Sequence, residues 1–105
     1  MSRAQRGEIW LVDLGMVAKT RPVLILSVAY IGQERSLVTF VPRTTSVRGT
    51  RFEVAHTGRG FEAGAFDAQG LVTVPTVQLI RRLSVIDAPT LAQIEAAVKH
   101  WLGLA

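Results

Sequence analysis

From Pro22 to Ile31 the chain is apolar except at Ser27, and this run limits the possible folds more than any other stretch of the sequence. It covers half of the roughly 20 residues that a membrane-spanning helix needs, so an integral membrane protein is not expected. Its centre, Val23-Leu24-Ile25-Leu26-Ser27-Val28, suits a strand buried on both faces. Pro22 then has to stand at the start of that strand, where no ladder donor is lost.

The other patterned segments are also short. Gly7 to Leu14 is β-branched and aromatic and closes on Gly15, which predicts a first strand ahead of the apolar run. Leu37-Val38-Thr39-Phe40-Val41 predicts a third, ended by Pro42 and followed by a polar turn from Arg43 to Gly49. Arg51 to Ala55 predicts a fourth, and the glycine-rich stretch from Thr57 to Gly70 after it has the composition of a loop. Leu71 to Val74 and Leu79 to Ile86 are further strands. At the end Pro89 is placed for the first position of a helix in which Leu91, Ile94, Val98 and Trp101 make one apolar stripe, and Gly103 stops it. Short strands with tight turns and one closing helix predict a mainly β fold, a small barrel with a C-terminal α-helix, as one domain over residues 1–105.

Composition narrows the function. A hydrophobic share of 49% against 19% charged, with mean hydropathy +0.30, excludes intrinsic disorder and leaves apolar surface for a partner. The absence of cysteine removes disulfides, thiolate nucleophiles and cysteine-ligated metals. No apolar segment follows the basic residues Arg3 and Arg6 in the manner of a secretory leader, so the expected location is the cytoplasm. The net charge is +4, and of the twelve basic residues only Lys19 and Lys99 are lysine. Arginine offers a rigid fork for phosphate oxygens, which favours a phosphate-bearing partner; high genomic GC content would produce the same bias.

Metal and cofactor chemistry has little to stand on in the sequence. His56 and His100 are far apart and the eight carboxylates never cluster, so neither a metal site nor a cofactor is expected. Gly58-Arg59-Gly60, followed by Ala63 and Gly64, departs from the dinucleotide-binding glycine pattern. His100 belongs on the solvated rim of the helix. His56 lies after the fourth strand in glycine-rich surroundings, open to a structural or a functional role. The strongest candidates are Arg21, at the start of one strand, and the hydroxyls of Thr44, Thr45 and Ser46, at the end of another. Strand ends converge on the rim of a small barrel, where a guanidinium and hydroxyls can face one phosphate.

Four segments in order, Arg6 to Leu14 (RGEIWLVDL), Lys19 to Ser27 (KTRPVLILS), Val41 to Ser46 (VPRTTS) and Trp101 to Leu104, resemble the MazF/PemK toxins of bacterial type II toxin-antitoxin systems, and Thr50 to Val54 adds a fifth. The resemblance spans the whole chain. It implies an SH3-like barrel of the MazF/PemK/CcdB type and a homodimer. It also implies metal-independent, sequence-selective cleavage of single-stranded RNA to 2′,3′-cyclic phosphate and 5′-hydroxyl ends, which would inhibit translation and growth. An acidic antitoxin is the implied partner. By position, the family's catalytic arginine falls on Arg21 and its threonine on Thr45, with Ser46 as a neighbouring donor. Gly15 to Thr20 carries none of the carboxylates that some relatives place there, so His56 is the candidate base. Lys19, Arg43, Arg48, Arg51 and Gln69 are the expected RNA contacts; Gln69 lies in Asp67-Ala68-Gln69-Gly70, where the family often has Asp-Gln-Ile-Arg. The same barrel also serves CcdB-type toxins that poison gyrase without cutting RNA, so a non-catalytic toxin or nucleic-acid-binding module is the alternative, and a dimeric scaffold with merely solubilising arginines the third reading.

Overall fold

The computed structural model describes residues 3–15 and 19–104. Seven strands form a curled antiparallel sheet: β1 (Glu8–Asp13), β2 (Thr20–Ile25), β3 (Leu37–Thr44), β4 (Glu53–Gly58), β5 (Phe61–Asp67), β6 (Val72–Pro75) and β7 (Leu79–Val85). Their order is β4-β5-β3-β2-β1-β7, with β6 on β3, and α1 (Ala88–Trp101) follows. The fold is the mainly β half-barrel with a C-terminal helix that the sequence predicts. Residues 16–18, in the turn between β1 and β2, lie outside the described residues. Among the described residues no helix is long and apolar enough to cross a membrane.

The apolar run behaves as expected at its centre. Val23 and Ile25 point to one cluster with Val12, Val38 and Phe40, while Leu24 between them joins Ile9, Val41, Phe66, Ile86 and Ile94 on the other face. All three are fully buried, and each such side chain contributes about 1.5–3 kcal/mol of hydrophobic stabilisation. The strand stops at Ile25 rather than Val28, although Leu26 and Ser27 still donate to the Thr39 carbonyl at 2.9 and 3.3 Å. Pro22 is its third residue, and the ladder to β3 begins only at Val23.

Two sequence expectations fail. Pro42 does not end β3: it pairs with Val23, and Arg43 and Thr44 run on to pair with Phe66 and Ala65 of β5. Strand β3 passes from β6 to β2 to β5 along its length, and a proline at such a change of neighbour forfeits a single donor without breaking a continuous ladder. The glycine-rich stretch is not a loop but the larger part of a hairpin, β4 running on through His56 to Gly58 and β5 returning from Phe61. Gly64 is there for space: a Cβ would stand 2.5 Å from the Thr44 carbonyl oxygen.

The helix closes one face. Asp87 caps it, accepting from the Thr90 N–H at 3.0 Å and the Thr90 hydroxyl at 2.7 Å, and Gly103 ends it at φ +72°. Ile94 and Ala97 are buried, Leu91 and Val98 pack beside them, and Trp101 leaves the expected stripe to meet the Phe52 ring edge-on at 5.2 Å.

Candidate functional site

The site begins with strand register. Val23 pairs with Pro42, so extending that antiparallel register two residues sets Arg21 opposite Thr44, where β3 gives way to the Thr45-Ser46 turn. The turn is fixed locally: the Ser46 N–H donates to Thr44 Oγ1 at 3.0 Å, so Thr44 spends its oxygen on the backbone while Thr45 and Ser46 remain exposed. The tip of the β4–β5 hairpin completes the wall. The result is a cleft of about 370 Å³ lined by Thr20, Arg21, Pro22, Arg43, Thr44, Thr45, Ser46, Gly60, Phe61 and Glu62. Arg21, Thr45 and Ser46, expected to share one rim, do share it.

Arg43 was expected on a turn with its charge free for RNA. It is instead a strand residue, only 5% exposed. Its Nε donates to His56 Nδ1 at 2.9 Å, its Nη2 to the His56 carbonyl at 2.8 Å and to the Glu62 carbonyl, and Phe61 lies 5.0 Å beneath the guanidinium. Burial holds its pKa below the ordinary arginine value, and the Glu62 charge works the other way. A guanidinium taken from water needs its donors satisfied, and two backbone carbonyls and an imidazole satisfy them. Arg43 is therefore a brace between β3 and the β4–β5 hairpin.

His56 differs from expectation for the same reason. It sits inside β4, 9% exposed, between the rings of Phe61 and Phe66 at 5.4 and 5.0 Å, and it is not among the residues lining the cleft. Burial first, then the adjacent Arg43 charge, lower its pKa below 6.5, with Asp87 opposing. The neutral ring accepts from Arg43 at Nδ1, which leaves the proton on Nε2. Its Nδ1 lone pair is engaged by Arg43 and the ring stands outside the cleft lining, an arrangement that favours a structural role for His56 over that of a base.

The remaining basic candidates lie outside the cleft lining. Lys19 is exposed at φ +58° immediately before Thr20. Arg48 is held by its backbone: its N–H, with those of Gly49 and Thr50, donates to the Glu53 carboxylate at 3.0, 2.6 and 3.1 Å. Desolvation raises the Glu53 pKa, and these N–H donors outweigh it, holding the carboxyl below its ordinary value. Arg51 stacks over Phe52 at 4.6 Å and approaches His100 Nε2 at 3.0 Å, near the end of α1. Gln69 is exposed on the short 3-10 turn Ala68–Gly70, its N–H donating to Asp67 Oδ1 at 3.0 Å. Sequence reasoning missed Glu62, a carboxylate in the cleft wall, because the stretch containing it was read as a loop.

Comparison with known proteins agrees with the fold. The family model for the PemK-like, MazF-like toxin of type II toxin-antitoxin system matches residues 5–102. A Deinococcus radiodurans structure of MazE-MazF superposes with TM-score 0.85 at 20% identity over 100% of both chains. An endoribonuclease in complex with its cognate antitoxin from a Mycobacterial species gives TM-score 0.84 at 26% identity, covering 98% of each chain. The Mycobacterium tuberculosis toxin MazF-mt6 gives 0.80 at 26%, covering 93% of this chain and 98% of that one.

Proposed function

Because this chain belongs to the PemK-like, MazF-like toxins of type II toxin-antitoxin systems, we propose that it is an endoribonuclease that cuts single-stranded RNA in the cleft between β2, β3 and the β4–β5 hairpin. The observation that carries this reading is the meeting of Arg21, Thr45 and Ser46 in one cleft at the ends of two paired strands. RNA brings its own nucleophile, the 2′-hydroxyl beside the scissile phosphate. The protein has to align that hydroxyl in line with the leaving oxygen and stabilise charge on the phosphorane. No metal or cofactor is required for either task.

Arg21 is the clamp, its fork gripping non-bridging oxygens as charge accumulates, and Thr45 supplies one more hydrogen bond with Ser46 beside it. Products would be a 2′,3′-cyclic phosphate and a 5′-hydroxyl. Lys19, Arg48, Arg51 and Gln69, exposed outside the cleft lining, hold the RNA strand, which agrees with the net charge of +4. Arg43, expected from its position on a turn to hold RNA, acts from beneath the cleft as its brace.

Two partners complete the proposal. An apolar groove of about 840 Å³ lined by Trp10, Val28, Tyr30, Leu37, Val77 and Ile80, with Val28 76% and Val77 87% exposed, supports association of two copies. The antitoxin would be an acidic segment that folds onto the basic face and excludes RNA; a mycobacterial relative is known in complex with its cognate antitoxin.

The test is single-turnover cleavage of a long unstructured RNA in EDTA with end-group analysis of the products. Cleavage with cyclic-phosphate ends is expected. RNA left intact, or cleavage that requires added magnesium, overturns the reading. A strictly monomeric mass by light scattering at micromolar concentration removes the dimer, and simultaneous binding of RNA and a saturating cognate antitoxin removes the competition.

A further inference from the structure

We infer that Glu62 is the general base of the cleavage, taking the proton of the RNA 2′-hydroxyl; this rests on the ribonuclease reading. Three observations lead to it. Glu62 is the carboxylate in the cleft lining, facing the same 370 Å³ space as Arg21 on β2 and Thr45 and Ser46 after β3. Its carboxylate is close enough to Arg43 to stabilise that buried cation, so a charge of each sign reaches the cleft wall from β3 and β5. And its main chain is anchored: the Glu62 carbonyl accepts from Arg43 Nη2, the same nitrogen that donates to the His56 carbonyl at 2.8 Å. The exposed side chain therefore hangs from a backbone atom tied to the buried core.

The chemistry explains why a carboxylate belongs there. A negative charge lining a phosphate cleft opposes substrate binding by simple Coulomb repulsion, and beyond offsetting the buried Arg43 cation a carboxylate there can serve the reaction as a proton acceptor. A guanidinium holds its proton and a threonine hydroxyl is a weak acceptor, so neither Arg21 nor Thr45 can take a proton near neutrality. The His56 Nδ1 lone pair is occupied by Arg43. Glu62 is left as the open acceptor among the residues around the cleft. In the step, the proton of the 2′-hydroxyl passes to the Glu62 carboxylate as the O2′–P bond forms, the P–O5′ bond breaks, and the departing 5′-oxygen is protonated by water. The Glu62 proton then passes to the hydroxide left by that water, which returns the carboxylate to its ionised form.

Glu62→Gln keeps shape and backbone and removes the acceptor. The charged groups around position 62 are Arg21 on β2 and Arg43 on β3, with His56 on β4 behind Arg43, and all three remain in the variant. Single-turnover cleavage in EDTA at saturating protein is followed from pH 4 to 9 for both forms, with RNA affinity measured on each. The expected result is a loss of at least about a hundredfold in the cleavage rate constant with affinity unchanged or tighter, and a weaker dependence of the rate on acid pH in the variant than in the unaltered protein. Partial recovery of Glu62→Ala by added formate, a small carboxylate, is expected as well. A Glu62→Gln protein that cuts at the original rate with the original pH profile overturns the assignment and leaves the ribonuclease reading intact. Failure of the unaltered protein to cut RNA overturns both.

Discussion

The two walls of the cleft are built by different physics. Strand β2 carries Arg21 on a support of hydrocarbon, Val23, Leu24 and Ile25 being buried alternately in the two core clusters. The β4–β5 hairpin carries Glu62 on a polar support in which Arg43 ties together the His56 ring, the His56 carbonyl and the Glu62 carbonyl. An apolar support tolerates the loss of its functional side chain, because nothing beneath depends on it. A polar support fails when any member is removed, since the others are left buried without partners.

The largest difference should come from Arg43→Met. It leaves two carbonyls and an imidazole without a donor in a buried site and is expected to remove about 3 kcal/mol or more of stability, read as a fall in denaturation midpoint. Full stability in this variant would show that the hairpin stands on its hydrophobic contacts alone. Arg21→Lys should do the opposite, leaving thermal stability unchanged while cleavage falls at least about a hundredfold, the scale of losing one oxyanion donor. Cutting at the original rate would remove Arg21 from the transition state. Thr45→Val, which removes only a hydroxyl from the exposed turn, should lower the single-turnover rate constant by about tenfold and affinity less. Arg51→Ala, remote from the cleft lining, should weaken RNA binding a few-fold and reduce its salt slope by about one while saturated cleavage persists; an unchanged slope would leave Arg51 to its stacking on Phe52.

The smallest effect is one of pH. His56 has a folded-state pKa lowered below 6.5, so between that lowered value and 6.5 the unfolded chain binds the extra proton. Stability is therefore complete above about pH 6.5, declines as pH falls through that window by at most about 1.4 kcal/mol per pH unit, and levels off below it. Denaturant midpoints between pH 8 and 5 measure this. His56→Gln, which keeps an acceptor and loses the titration, should flatten that part of the curve.

The same contrast explains what was legible in the sequence. Strand β2 announces itself by an apolar run, and the helix by its stripe and by Asp87, Pro89 and Gly103, because burial of hydrocarbon is what periodicity records. Arg21 and Thr45 were legible as chemistry at strand ends, and their meeting followed from antiparallel register. The hairpin was hidden because its inward side chains include His56, Gly64 and a partner arginine on another strand, none of which looks like a core. Glycines that usually mark loops mark close approach here: a Cβ at Gly64 would stand 2.5 Å from the Thr44 carbonyl oxygen, and one at Gly70 2.5 Å from the Pro42 ring. Arg43 and Glu62 could be assigned only after β5 was paired with β3.

The carboxylate of Glu53 has a consequence for how such a protein can diversify. It grips the N–H groups of Arg48, Gly49 and Thr50 and none of their side chains. The arch after Ser46 therefore keeps its shape whatever side chain position 48 carries, whereas at position 50 the Thr50 hydroxyl also accepts from the Phe52 N–H at 3.3 Å; proline, which has no N–H to offer, is barred from both. The contact made at position 48 can be exchanged by substitution without any intermediate sequence having to refold the arch.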